Sequence, residues 1–244
     1  MSSSGSRHWL RWIIAGVVVV GAVVVGGPFV YIHFVEGNAP APLSLKSSAG
    51  TSPSGSASGQ ATSAGQASAG PVAGTWTIGS GSQVGYRVNE VLAGQNNIAV
   101  GRTKSVTGHL TINGTSVTAG TFTVPMSTIK SDQSQRDGQF DGRIMDVASY
   151  PTGTFTLTSP ISLAPLPAVG TVKTYSATGN LTLHGHTRPV TFTLSAERTS
   201  TAIKVSGSIP VIFANWGIPN PSFTGFVTTA NHGVLEFLLT FDRS

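Results

Sequence analysis

Residues 179–194 read Gly-Asn-Leu-Thr-Leu-His-Gly-His-Thr-Arg-Pro-Val-Thr-Phe-Thr-Leu. Leu181 and Leu183 alternate with polar residues, and so do Val190, Phe192 and Leu194. Successive side chains of a strand point to opposite faces, so each run presents one apolar and one polar face. Between the runs, Gly185 with Thr187-Arg188-Pro189 reads as a hairpin. Two such strands need a larger sheet to bury their apolar faces.

The same texture extends outward in both directions. Val84, Tyr86 and Val88 alternate; Val106, Leu110 and Ile112 do so with Gly108 filling a slot. Phe122, Val124 and Met126 follow, then Phe155 and Leu157. Beyond residue 194 come Ile203, Val205, Ile209 and Val211, and lastly Leu235, Phe237, Leu239 and Phe241. The intervening Thr and Ser suit a half-buried pleated surface. Asn113-Gly114 between two runs predicts a tight hairpin turn centred on those two residues. One stretch breaks the pattern. Ser134 to Met145 sets Phe140, Ile144 and Met145 at helical spacing, which predicts a short helix with Asp132 as its N-cap, weakened by Gly138 and Gly142. From Val72 onward, about 170 residues suffice for one domain with a real core. About eight or nine strands and one helix make the domain all-β, and alternation alone leaves a sandwich and a closed barrel both open.

Upstream the texture changes twice. Residues 36–71 are Ser, Gly, Ala, Pro, Thr and Gln with almost no charge or large apolar side chain. They read as a disordered linker. As a flexible coil of about 35 residues it would reach roughly 30–35 Å. Before it, residues 12–35 form an apolar run of about 24 residues, against the roughly 20 needed to span a bilayer. Arg7 and Arg11 precede it and Glu36 follows. The charge bias leaves residues 1–11 as a cytoplasmic tail and sends the rest outside, where the chain is expected in the cell membrane of an envelope. The run is longer than a secretory signal, and its nearest cleavage-like site, Ala39-Pro40-Ala41, is followed by Pro42. An uncleaved signal-anchor is therefore favoured over secretion after cleavage. The chain has no Cys, so neither a lipid-bearing cysteine nor a disulfide is available.

The net charge is +5 and the pI about 9.9, but only 9% of residues are charged. Arg87, Arg102, Lys104, Lys130, Lys173, Arg188 and Lys204 are scattered, whereas a groove that follows phosphates needs a basic stripe. Nucleic-acid binding is rejected on that ground. His184-x-His186 has metal-like spacing but falls at a hairpin, and neither His109 nor His232 supplies an evident third ligand; the pair reads as turn histidines. There is no cysteine nucleophile, no G-x-S-x-G elbow and no paired carboxylates, so an enzyme is not expected. Nothing calls for a metal or cofactor.

Several segments in order resemble the YceI-like, polyisoprenoid-binding family. They are Gly74-Thr75-Trp76-Thr77-Ile78 with Ser82 to Val88, Val106-Thr107-Gly108, and Arg136-Asp137 followed by Met145-Asp146-Val147 and Tyr150 to Phe155. Gly179 to Gly185 with Thr187 to Val190, and Trp216-Gly217-Ile218 with the closing strand, complete the set. Gln139 and Asp141 depart from the family's usual His and basic residue in the helix. The resemblance covers nearly all of residues 73–243. It implies a lipocalin-like antiparallel barrel of eight strands over residues 72–244, with an apolar lumen for a long isoprenoid chain. On that account Val84, Tyr86, Val88, Leu110, Phe122, Val124, Met126, Phe155, Leu157, Leu181, Phe192, Leu194, Ile209 and Phe237 are expected to line a ligand site. The alternative is that the same residues fill the barrel. Arg136 and Asp137 could meet a headgroup or make a structural ion pair. The loop from Phe213 to Phe226, with Trp216, reads as a lid or lipid-facing lip, or as packing over the barrel end. The function expected is a tethered binding protein for a polyisoprenoid or similar amphiphile; the alternative is a structural or stress-related envelope protein with a protein partner.

Overall fold

The structure is a computed structural model that describes residues 39–45, 71–92, 94–223 and 227–244. The tail 1–11, the apolar run 12–35 and most of the linker lie outside the described residues. Among the described residues no helix is long and apolar enough to cross a membrane.

Twelve strands form one sheet. In chain order they are β1 (Gly74–Ile78), β2 (Gln83–Leu92), β3 (Gln95–Thr103), β4 (Thr107–Asn113), β5 (Ser116–Pro125) and β6 (Thr152–Leu157). Then come β7 (Ile161–Ser162), β8 (Val172–Leu183), β9 (His186–Arg198), β10 (Ala202–Ile212), β11 (Val227–Thr229) and β12 (His232–Arg243). Eight of them close a ring in the order β1-β4-β5-β6-β8-β9-β10-β12, with β12 pairing back onto β1. Every pairing is antiparallel. The sheet is therefore a barrel and not a sandwich. Strand β2 also pairs with β12 and carries β3 and β11 beyond the ring, while β7 is a short addition beside β5.

The chain changes course between β1 and β2, at Gly79-Ser80-Gly81-Ser82. Gly79 donates its amide to the Thr240 carbonyl at 2.8 Å. The Ser82 hydroxyl donates to the Gly79 carbonyl and accepts from the Thr240 amide, both at 2.9 Å. A Cβ at Gly79 would lie 1.8 Å from the Asp242 carboxylate. These contacts let one end of β12 pair with β1 and the other with β2.

The turns follow local chemistry. Leu183 pairs with His186, so His184 and Gly185 are the two central residues of the β8–β9 hairpin, with φ of 47° and 74°. Positive φ at both positions is the type I′ requirement. The β4–β5 turn is displaced by one residue from its expected place. Asn113 pairs with Ser116, leaving Gly114 and Thr115 at the centre, and Gly114 alone takes the positive φ, 58°.

The helix α1 spans Ser134–Gln139 and widens into one π turn over Phe140–Ile144. Asp132 does not cap it: Gln133 holds that position without a side-chain bond, and Asp132 pairs with Arg136 one turn on, at 2.5 Å. Asp137 instead turns back to accept from the Ser131 amide and hydroxyl at 2.8 and 2.7 Å.

Inside the barrel, rings lie over glycines. A Cβ at Gly179 would meet the Phe155 ring and the Thr156 carbonyl at 2.4 Å; one at Gly207 would meet the Phe237 ring at 2.7 Å. Without side chains these positions let the rings lie along the wall. Gly179→Ala is expected to cost about 1–3 kcal/mol of stability, as overpacking does. Urea unfolding checks it, and an unchanged midpoint would contradict the packing.

Candidate functional site

The inward rows of the ring enclose apolar space in three parts. At one end, under the β4–β5 and β9–β10 turns, lies a cavity of about 970 Å³, counting its opening to solvent. Its wall includes Leu110, Phe122, Phe155, Leu157, Phe192, Leu194 and Phe237. A central space, about 460 Å³ when all space open to solvent is counted, is bounded by Val84, Val124, Met126, Leu181 and Ile209, and shares Phe122 and Phe237 with the first. The other end, beneath α1 and the π turn, has about 780 Å³ when its opening to solvent is counted, with Tyr86, Val88 and Met126 in its wall. All fourteen residues expected on the lumen thus face interior space.

Four of them form a collar. Ring centroids of Phe122 and Phe155 are 5.4 Å apart, Phe155 and Phe192 5.3 Å, Phe192 and Phe237 5.8 Å, and Phe237 and Phe122 6.0 Å. The contacts run in a closed cycle across the barrel, and each ring sits on a different strand. The collar separates the large end cavity from the centre. The interior is not one smooth bore.

Polar groups are confined to the ends. At the helix end, Arg136 lines the cavity and bonds Glu90 at 3.2 Å as well as Asp132. It is a structural ion pair that also faces the lumen. Asp137, engaged with Ser131, takes no part in that wall. Tyr86 stacks on Phe140 at 5.1 Å, and burial pushes its hydroxyl well above the ordinary tyrosine value, against an opposing effect of Arg136. The wall there stays uncharged at Tyr86 across the physiological range. At the opposite end Glu197 and Arg198 line the mouth, and the Arg198 Nε is buried with no hydrogen-bond partner among the described residues.

The segment after β10 divides. Phe213 lines the helix-end cavity. Trp216 is only 3% exposed and donates its Nε1–H to the Leu181 carbonyl at 3.4 Å, so it packs over the barrel end and does not form a lip. Phe223 is exposed, and residues 224–226 lie outside the described residues. His184 and His186 stay at their turn, where the His184 Nδ1 lies 3.3 Å from the Trp216 carbonyl. Among the described residues no group of three or more His, Asp or Glu could hold a metal ion.

Comparisons with known proteins agree with this architecture. The YceI-like domain model matches residues 76–241, and the chain belongs to that family. No curated protein matches the chain in sequence. Among solved structures, a polyisoprenoid binding domain from Saccharophagus degradans, implicated in plant cell wall breakdown, superposes with a TM-score of 0.59 at 15% identity. That match covers 70% of this chain and 99% of the other. BcnA from Burkholderia cenocepacia gives 0.52 at 20% identity, over 65% and 95%. At these identities the likeness is one of fold.

Sequence reasoning missed two groups. Phe140 and Leu183 line the helix end, and Ile203 and Phe241 the other; the periodicity exposed them as core but not as lumen. Glu236, 3% exposed in the midst of the last apolar run, carried no signal at all. Truncating a collar ring leaves a cavity, so Phe192→Ala is expected to cost about 3–5 kcal/mol. Thermal unfolding checks it; a loss under about 1 kcal/mol would mean that the collar is loosely packed.

Proposed function

We propose that the barrel holds the apolar chain of a polyisoprenoid or a similar long-chain amphiphile. The observation that carries this reading is the run of apolar space along the barrel axis with polar groups only at its ends. Each buried CH₂ contributes about 0.8 kcal/mol, and ordering and immobilising the ligand offset part of that. The family membership and the likeness to the Saccharophagus polyisoprenoid binding domain support the same chemistry. The lining groups suit binding rather than catalysis. The Arg198 Nε, without a partner among the described residues at the mouth of the larger cavity, suits an anionic head, such as a phosphate, at that end. We read residues 12–35 as an uncleaved anchor that keeps the barrel outside the cytoplasmic membrane, close to the lipid that supplies its ligand, for transport or storage.

The rival is an envelope protein whose partner is another protein, and the phenylalanine collar favours it, because its four rings constrict the lumen between the end cavity and the centre. Native mass spectrometry of residues 71–244, incubated with a prenyl phosphate, separates the two. A retained lipid supports binding; repeated recovery of the empty domain would sink it. Phe122→Trp or Phe192→Trp should narrow the lumen and lower uptake while the domain stays folded. Arg198→Ala should weaken prenyl phosphate binding by roughly tenfold or more, the scale of one hydrogen bond to a charged group, and leave a neutral prenol unaffected.

A further inference from the structure

The outer wall of the barrel carries a second site, unrelated to the lumen. Glu236 points outward from β12, opposite Gly85 of β2 and Ser208 of β10. Arg102 of β3 pairs with Gly85 and lies across it; a Cβ there would sit 2.8 Å from the Arg102 Cγ. The missing side chain lets Arg102 reach over a whole strand and donate from Nε at 2.8 Å and Nη2 at 2.7 Å to the same Glu236 oxygen. Arg87 stands 3.9 Å from that oxygen. A carboxylate this deeply covered on an outer wall needs something on top of it.

That cover is the segment of residues 39–45. Its backbone meets all three charged groups. The Leu43 amide donates to the second Glu236 oxygen at 3.1 Å. Arg87 donates to the Pro40 carbonyl at 2.6 Å and Arg102 to the Ala41 carbonyl at 2.5 Å. Leu45 is 7% exposed, buried like a core residue. Pro42 and Leu43 lie in a trough floored by the small outward residues Thr193, Ser195, Ser206 and Ser208. Pro40 and Pro42 fix the backbone in an extended form before it docks, and they remove amides that would otherwise need partners. The contacts use main-chain groups of an apolar, extended peptide, and the occupant is already on the chain.

We propose that the Arg87–Glu236–Arg102 trough is an intramolecular docking site for residues 39–45, which straps the linker to the barrel wall. The strap changes the tether. If residues 12–35 anchor the chain, as proposed above, only Glu36, Gly37 and Asn38 remain between bilayer and barrel. Three residues span at most roughly 10 Å, against roughly 30–35 Å for the whole linker as a coil. The barrel is then held close to the membrane. This consequence rests on the anchor; the docking does not.

Amide hydrogen exchange at Leu43, read by NMR on the full chain in detergent micelles, tests it. Leu43 is expected to exchange at least about tenfold more slowly than a free peptide amide, since protection requires docking. Glu236→Ala should return it to the free rate. Leu45→Asp, which alters the strap and no residue of the barrel, should do the same and leave the barrel's unfolding temperature nearly unchanged. Free exchange in the unaltered protein overturns the proposal, as does protection that persists in a folded Leu45→Asp variant. Protection that rises with protein concentration overturns it too, because the strap would then lie on a second copy. A chain beginning at Glu36 should show the same protection. Failure of the full chain to associate with membranes, with Leu43 protection intact, would fault the anchor and not the strap.

Discussion

Three residue pairs close the barrel: Trp76 with Arg243, Thr77 with Asp242, and Ile78 with Phe241. They exist because the chain breaks at Gly79–Ser82 and is tied there to Thr240 by the Ser82 hydroxyl. Were β1 and β2 one straight strand, β12 would have a single partner along the edge opposite β10, and β4 would keep only β5 as a neighbour. The sheet would then present an open edge, which is a template for aggregation. Closure also fixes which rows face inward. Once the ring is shut, every apolar residue on the inner row is committed to a common interior. An eight-stranded ring has room for side chains or for one ligand.

What fills that interior is decided by ring placement. Phe155 and Phe237 lie along the wall over Gly179 and Gly207, and together with Phe122 and Phe192 they make the collar. Space is left on both sides of it. A long, flexible chain suits such a lumen better than a rigid ring system, because it can pass a constriction one segment at a time. The charged groups at the two ends differ. Arg136 is already balanced by Glu90 and Asp132, whereas the Arg198 Nε has no partner among the described residues. The two mouths are therefore not equivalent toward an anionic head.

Much of this was legible in the sequence. Alternation marked β2, β4, β5, β6, β8, β9, β10 and β12 and their inward rows, because period two is the direct consequence of the pleat; β1 was read from the family resemblance, and β3, β7 and β11 were not read at all. It could not tell a barrel from a sandwich, since closure depends on a hydroxyl at Ser82 and on partners far away in the chain. The β4–β5 turn was displaced by one residue because Asn113 joined the ladder and Gly114 supplied the positive φ alone. The helix lost its expected cap because Asp132 found Arg136 and Gln133 took the cap position. The strap was the least legible feature. Leu43 and Leu45 are spaced by two within a low-complexity segment, a strand-like hint too short to weigh, and Glu236 reads as a solvated residue until Arg102 is brought across Gly85.

In the function proposed above, lipid lies inside the barrel and the 39–45 segment lies outside it, so the two walls divide their tasks. The inner wall is apolar and adaptable; the outer wall near Glu236 is charged and covered. The most direct test is covalent mapping with a prenyl phosphate that bears a photoreactive group along its chain. If the chain lies in the lumen, labelled positions will follow the inward rows, with Leu181, Ile209 and Phe237 among them and their outward neighbours Thr182, Ser208 and Glu236 free of label. Label spread over outward residues, or confined to the barrel surface, would contradict luminal binding.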